Sequence, residues 1–320
     1  MTSAASTAAT AAVPVVTLRP TGALRRRQRF ERLVKAVLLA SALVSVATTV
    51  LIVFSLLQPT VEFFQEVSFG EFFGGTDWSP NFEPASFGVW PIIGGTLVVT
   101  GIALLVAVPC GLGAAFYLSE YARPRARRVL KPVLELLAGI PTVVFGFFAL
   151  TFVNPELVAK LWPIGDVSTF SALGAGLVMG VMILPIMTSL SEDAMSAVPQ
   201  SLRQAGVALG ATRREVCTKV VFPAALSGIV AATVLAVSRA IGETMIALLA
   251  AGNRPNLSAN PGEDMQTMTA FIGSTALGDI ATQTIQYKTI FAVGALLFAV
   301  TFVLNIVSIR VVRRFRQAYE

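Results

Sequence analysis

The sequence predicts an all-α polytopic membrane protein of about six transmembrane helices, and composition, run length and charge placement each point there. Of the 320 residues, 55% are hydrophobic and 13% charged, and mean hydropathy is +0.74. A water-soluble domain of this length could not cover so much apolar surface with so few charges. The apolar residues are also clustered. No charge lies between Lys35 and Glu62, or between Glu83 and Glu120. A spanning helix needs about 20 predominantly apolar residues. Segments 33–58, 91–118, 132–153, 170–190, 224–250 and 288–309 meet that test, and none alternates as a barrel strand does.

Charge sets the orientation. With six spans and the N-terminus inside, the inner segments hold 20 Lys/Arg and 6 Asp/Glu, whereas the outer loops hold Lys160, Arg254 and Lys288 against ten acids. This is the positive-inside bias, and it predicts a multi-pass protein of the cell inner (cytoplasmic) membrane with both termini cytoplasmic. The net charge of +6 then reports topology and contact with membrane lipid, not nucleic-acid binding, because the bases are split among four juxtamembrane clusters.

Along the chain, residues 1–32 form a cytoplasmic tail, whose Ala/Thr/Ser-rich start, Met1–Thr10, is expected to be disordered. The helix 33–58 follows a basic flank, and its uncharged run exceeds the roughly 7–15 residues of a signal-peptide core, so it reads as an uncleaved anchor. The extracytoplasmic loop 59–90 carries two Phe-Phe pairs, Trp78, Pro80 and Pro84. It is expected to fold back as short helices or turns, its aromatics serving as interface anchors or as a docking surface. The core runs from 91 to 310, with a cytoplasmic loop at 191–223, and 311–320 is a cytoplasmic tail.

Glycine and proline punctuate three core spans: Pro109-Cys110-Gly111-Leu112-Gly113, Gly139-Ile140-Pro141, and Gly180 with Leu184-Pro185. Either these are ordinary close packing, or they kink a bundle that lines a pathway. There are no histidines, and Cys110 and Cys217 both fall on or near the cytoplasmic side. That excludes a histidine relay, argues against a disulfide, and leaves no zinc site. No G-x-x-x-x-G-K-[ST] phosphate loop occurs, so ATP hydrolysis by that route is absent. No metal, cofactor or catalytic residue is expected.

In the loop Ser191–Phe222, Pro199 precedes one short helical stretch, Gly210 interrupts it, and a second stretch leads to Pro223. In detail, Gln204-Ala205-Gly206 is followed after three residues by Gly210, after nine more by Val220, and after one more by Phe222-Pro223. This resembles the E-A-A, x3, G, x9, I, x, L, P signature of ABC importer permeases, with Gln204 where the family usually has Glu. Leu134-Glu135-Leu136-Leu137-Ala138-Gly139-Ile140-Pro141 and Ser238-Arg239-Ala240-Ile241-Gly242-Glu243-Thr244-Met245 look like the third-span and fifth-span segments of phosphate importer permeases of the PstC type. Sulfate and molybdate permeases share the R-A-x-G-E core, so that piece alone indicates an oxyanion.

The resemblance covers residue 90 to the C-terminus. It implies a type I importer permease (MetI-like) fold and import of inorganic phosphate. It also implies three partners: a second permease subunit (PstA type), an ATPase dimer (PstB type) and an extracytoplasmic phosphate-binding protein (PstS type). Gln204, Ala205, Gly206, Gly210 and Pro223 would belong to the loop that sits in the ATPase groove.

Apart from Lys35 and Lys288 at the flanks of the first and last, three charges fall inside the expected spans: Arg239 near the centre of the fifth, Glu243 one turn later on the same face, and Glu135 near the cytoplasmic end of the third. Centring an Arg in a span costs roughly 2.5–3.5 kcal/mol on insertion scales. Arg239 and Glu243 either form a structural pair or face the substrate pathway, the guanidinium attracting phosphate and the carboxylate easing release. Importing an anion against an inside-negative potential costs roughly 2.3 kcal/mol per charge per 100 mV, which demands an external engine. The spans lack the extended acid relay of a proton-driven carrier.

Overall fold

The computed structural model describes residues 22–162, 168–281 and 283–315. Among the described residues, six helices are long and apolar enough to cross a membrane: Phe30–Glu66, Trp90–Tyr121, Thr142–Leu161, Ala172–Ser196, Arg213–Ile241 and Ile285–Arg313. The expected stretch Met1–Thr10 and the tail beyond Phe315 lie outside the described residues.

The chain divides into two units. The first, through Ser55, is described from Gly22 as helix; from Phe30 its apolar side chains are exposed, with Val53 partly buried, as lipid-facing side chains should be. The second unit, from Leu56 onward, holds the bundle. Its centre is the contact between the second span (Trp90–Tyr121) and the fourth (Ala172–Ser196). A β-carbon on Gly180 would sit 2.9 Å from the Ala103 carbonyl oxygen, and one on Gly176 would sit 2.6 Å from Ile102 Cβ. Only glycine lets the backbones approach this closely, so these glycines are packing residues. Around this seam Ala103, Ala107, Ala175, Met179, Ile183 and Met187 are buried.

The third span starts later than the sequence suggests. Pro124–Ala138 is a separate helix, Gly139 ends it, and Pro141 caps the next helix at Thr142. The apolar residues of Pro124–Ala138 share one stripe among its charges, and none of its residues is buried. A hydropathy window merged this amphipathic helix with the span that follows it. Glu135 therefore lies outside the third span, on an exposed surface helix.

The loop after the first span is a small folded cap. Ser68 caps the helix Phe69–Gly74 by accepting from the Glu71 amide at 3.1 Å, and Trp78–Ser79 pairs with Ser86–Phe87 as a two-stranded antiparallel ribbon. Phe63, Phe72, Trp78 and Phe87 pack with Ile92, Met268 and Phe271 into a second core. Trp78 meets Phe271 edge-on at 4.9 Å. These four aromatics are thus neither lipid anchors nor a docking face, whereas Phe69, Phe73 and Phe82 remain exposed. Lys288, at the start of the last span, bonds to Glu66 at 2.8 Å and ties the first helix's far end to the bundle.

Candidate functional site

The fifth span is broken where its charges stand. The sequence suggests one helix over 224–250 with Arg239 near the centre, but the helix ends at Ile241. Gly242 caps it, and helix resumes at Met245, passing into a π-helical turn at Ala247–Ala251. Glu243 makes the restart possible. Its carboxylate accepts from the backbone amides of Met245 at 3.1 Å and Ile246 at 3.4 Å, so it serves as the anionic cap of the second piece.

Arg239 thus occupies the last turn of the first piece. Its guanidinium approaches Glu243 at 3.8 Å and the Met182 sulfur on the fourth span at 3.9 Å. The two partners differ in access: the Arg239 side chain is 47% exposed, the Glu243 side chain 5%. The carboxylate is held inside and the guanidinium reaches out. Thr269 braces the break by donating to the Glu243 carbonyl at 2.8 Å, and Thr96 on the second span accepts from the Met268 amide at 3.0 Å. The pair expected from i,i+4 spacing is therefore present, but at a helix break.

Glu135 does not join that pair, and among the described residues no hydrogen bond or ion pair connects it to Arg239 or Glu243. It borders a cavity of about 370 Å³ between the surface helix and the fourth span, with Leu134, Pro185, Thr188, Glu192 and Leu235 also on its wall.

The loop 191–223 is a helix–glycine–helix, as its spacing suggests, with two differences. The fourth span continues through Ser196, and the second helix has no end at Pro223, running unbroken from Arg213 into the fifth span. A π-helical turn, Cys217–Val221, stands just before Pro223, where the ring leaves the helix one donor short. The short helix Gln200–Ala208 ends at Leu209, and Gly210 turns the chain with φ +83°. Thr212 and Glu215 then form a reciprocal capping box that starts the next helix. Gly206 lets the two helices close: a β-carbon there would lie 3.0 Å from Val216 Cγ2. Gln204, Ala205, Val207 and Leu209 are exposed at the tip, Leu209 by 88%.

Two buried acids escape a linear reading. Glu192, 1% exposed, bonds to Arg127 and, at 2.9 Å, to Lys131, both on the surface helix. The Glu192 bond, aided by Asp193 at 3.3 Å, raises the Lys131 pKa above its ordinary value. Glu120, at the end of the second span, bonds to Nη1 of Arg203 on the short loop helix, whose Nη2 donates to the Met195 carbonyl at 2.7 Å. These pairs clamp the surface helix and the loop helix onto the same end of the bundle. The sequence signal was present as cations one turn apart at 127 and 131, but their partners lie more than 60 residues away.

The family described as "Binding-protein-dependent transport system inner membrane component" matches residues 107–319. A probable ABC transporter permease protein of Bacillus subtilis, YqgH, is 35% identical over 87% of this chain and 89% of its own. The phosphate transport system permease protein PstC of Mesorhizobium japonicum is 31% identical over 73% of this chain and 75% of its own, and PstC 1 of Mycobacterium tuberculosis is 32% identical over 76% and 81%. Among solved structures, a bacterial ABC transporter involved in the import of the acidic polysaccharide alginate superimposes with a TM-score of 0.64 at 17% identity, covering 92% of this chain and all of that one. An inward-facing MetNI methionine ABC transporter gives 0.53 at 19% identity, covering 72% and 95%. The fold is that of importer permeases of the MetI-like type.

Proposed function

The chain belongs to the family of binding-protein-dependent transport system inner membrane components, and from that premise we propose that it is the permease subunit of an ATP-driven importer of inorganic phosphate. The observation that carries the substrate reading is the Arg239–Glu243 pair at the break of the fifth span. Half-helix ends are where membrane transporters expose backbone and charge to a substrate. The half-exposed Arg239 guanidinium offers forked donors matched to phosphate oxygens. The buried Glu243 faces it one turn away, neutralising it between cycles so that the anion is not trapped. Relatives named as phosphate permeases support the same reading.

The pathway is shared with a second permease subunit, and Glu135, with the cavity it borders, belongs to its inner end. The loop carrying Gln204, Ala205, Gly206, Gly210 and Pro223 seats in a partner ATPase. Its exposed Val207 and Leu209 provide the apolar tip, and its direct continuity with the fifth span carries motion to Arg239. An extracytoplasmic binding protein delivers phosphate to the opposite face. Both termini lie in the cytoplasm, and the folded cap after the first span faces outward.

Uptake of labelled phosphate into vesicles holding the full transporter tests the substrate and the engine together. Uptake should need ATP and the partner ATPase, and unlabelled phosphate should compete while sulfate does not. Competition by sulfate or molybdate at equal concentration would move the substrate to another oxyanion. ATP-independent uptake would overturn the importer reading.

A further inference from the structure

The surface helix Pro124–Ala138 links the end of the second span, Tyr121, to the start of the third, Thr142. Tied at both ends to membrane-crossing helices, it is held at the membrane surface. Its four cations, with Arg123 at its N-cap, divide into two groups. Arg127 and Lys131 turn inward to Glu192 and fix the roll of the helix. Arg123, Arg125 and Arg128 are exposed, and none forms an ion pair among the described residues. With the roll fixed, Val129, Val133 and Leu136 form an exposed stripe at i, i+4 and i+7. Arg125 stands one turn before Val129 on that stripe.

We propose that this helix binds anionic phospholipid, the valine–leucine stripe entering the acyl boundary and Arg123, Arg125 and Arg128 holding the phosphate headgroups. An apolar stripe flanked by unpaired cations is what an interfacial helix presents to acidic lipid. A partner protein covering the same face would have to leave three cations without acids or supply them, and Val129, Val133 and Leu136 offer no polar group for specificity. Each cation near an acidic surface contributes roughly fivefold in binding, so the three together are worth about a hundredfold. The proposal is independent of which anion is transported.

The full chain, purified in detergent, is titrated with phosphatidylglycerol or phosphatidylcholine while its unfolding midpoint is followed. Phosphatidylglycerol should raise the midpoint at low salt and do so less at high salt. The Arg123→Gln/Arg125→Gln/Arg128→Gln variant should need about a hundredfold more of it. Phosphatidylcholine should act weakly and equally on both proteins. Equal shifts by the two lipids, or a phosphatidylglycerol shift kept in the variant, would overturn the proposal. So would millimolar inorganic phosphate reproducing the shift, since the cations would then hold the free anion. In the assembled transporter, a fluorophore on Val133→Cys, with Cys110 and Cys217 replaced by alanine, should be quenched by brominated phosphatidylglycerol. An unquenched fluorophore would mean that protein covers the stripe, and the lipid reading would fail.

Discussion

Replacing Arg239 with glutamine should cost little stability and nearly all transport. The guanidinium is half exposed and stands 3.8 Å from Glu243, beyond hydrogen-bond length. Discounted for its exposure, such a pair contributes roughly 0.2–1 kcal/mol. The Glu243 carboxylate keeps its bonds from the amides of Met245 and Ile246 when Arg239 is gone, so it is not left bare. Abundance in the membrane should therefore stay near wild type. A hydrogen bond from a charged donor to a substrate is worth about 1.5–3 kcal/mol, which is about 10- to 150-fold in rate if it acts at the limiting step. Phosphate uptake per molecule in the membrane should fall by at least tenfold in Arg239→Gln. In Arg239→Gln/Glu243→Gln the amide oxygen can still cap the restart, so this variant too should insert well and fail to transport. The assay is ATP-dependent uptake normalised to the amount of each variant in the membrane. Wild-type uptake by the double variant would show that the pair is structural and that phosphate is bound elsewhere.

Three further outcomes follow from other parts of the molecule. Gly210→Leu meets no neighbour within 4 Å, but it must hold φ +83°, so the turn should rearrange and uncouple ATP hydrolysis from uptake while the protein still inserts; normal ATP-driven uptake would refute this. Glu120→Ala leaves the largely buried Arg203 without its acid and should destabilise the protein by about 3–5 kcal/mol, read as a lowered unfolding midpoint; an unchanged midpoint would show that the clamp contributes nothing. Cysteines at the exposed positions Asn81 and Ser201, with Cys110 and Cys217 replaced, should label with an impermeant reagent from opposite sides of the membrane; labelling from one side would refute the topology.

Class and span number were legible in the sequence because lipid imposes a simple rule. A chain crossing hydrocarbon must be helical and apolar for about 20 residues, whatever its neighbours do. The loop around Gly210 was legible for a local reason: a turn glycine and two short helical segments are all set within a few residues, although the Thr212–Glu215 capping box that starts the second was seen only in the structure. The pair at Arg239 and Glu243 was legible as an i,i+4 relation.

What the tertiary structure alone decided concerns partners remote in the chain. Hydropathy measures how apolar a segment is but not whether lipid or protein covers it, so the amphipathic helix Pro124–Ala138 merged with the third span and carried Glu135 into it. The aromatics of the cap after the first span likewise looked free because Phe271, their partner, lies beyond the fifth span. Glu192 and Glu120 became buried only when Arg127, Lys131 and Arg203 were brought to them, the last across 83 residues. The break at Gly242 also required tertiary support, since the backbone at Glu243 is braced by Thr269, 26 residues further on. A charge can be buried only if its counter-charge arrives with it, and that meeting is a property of the folded chain.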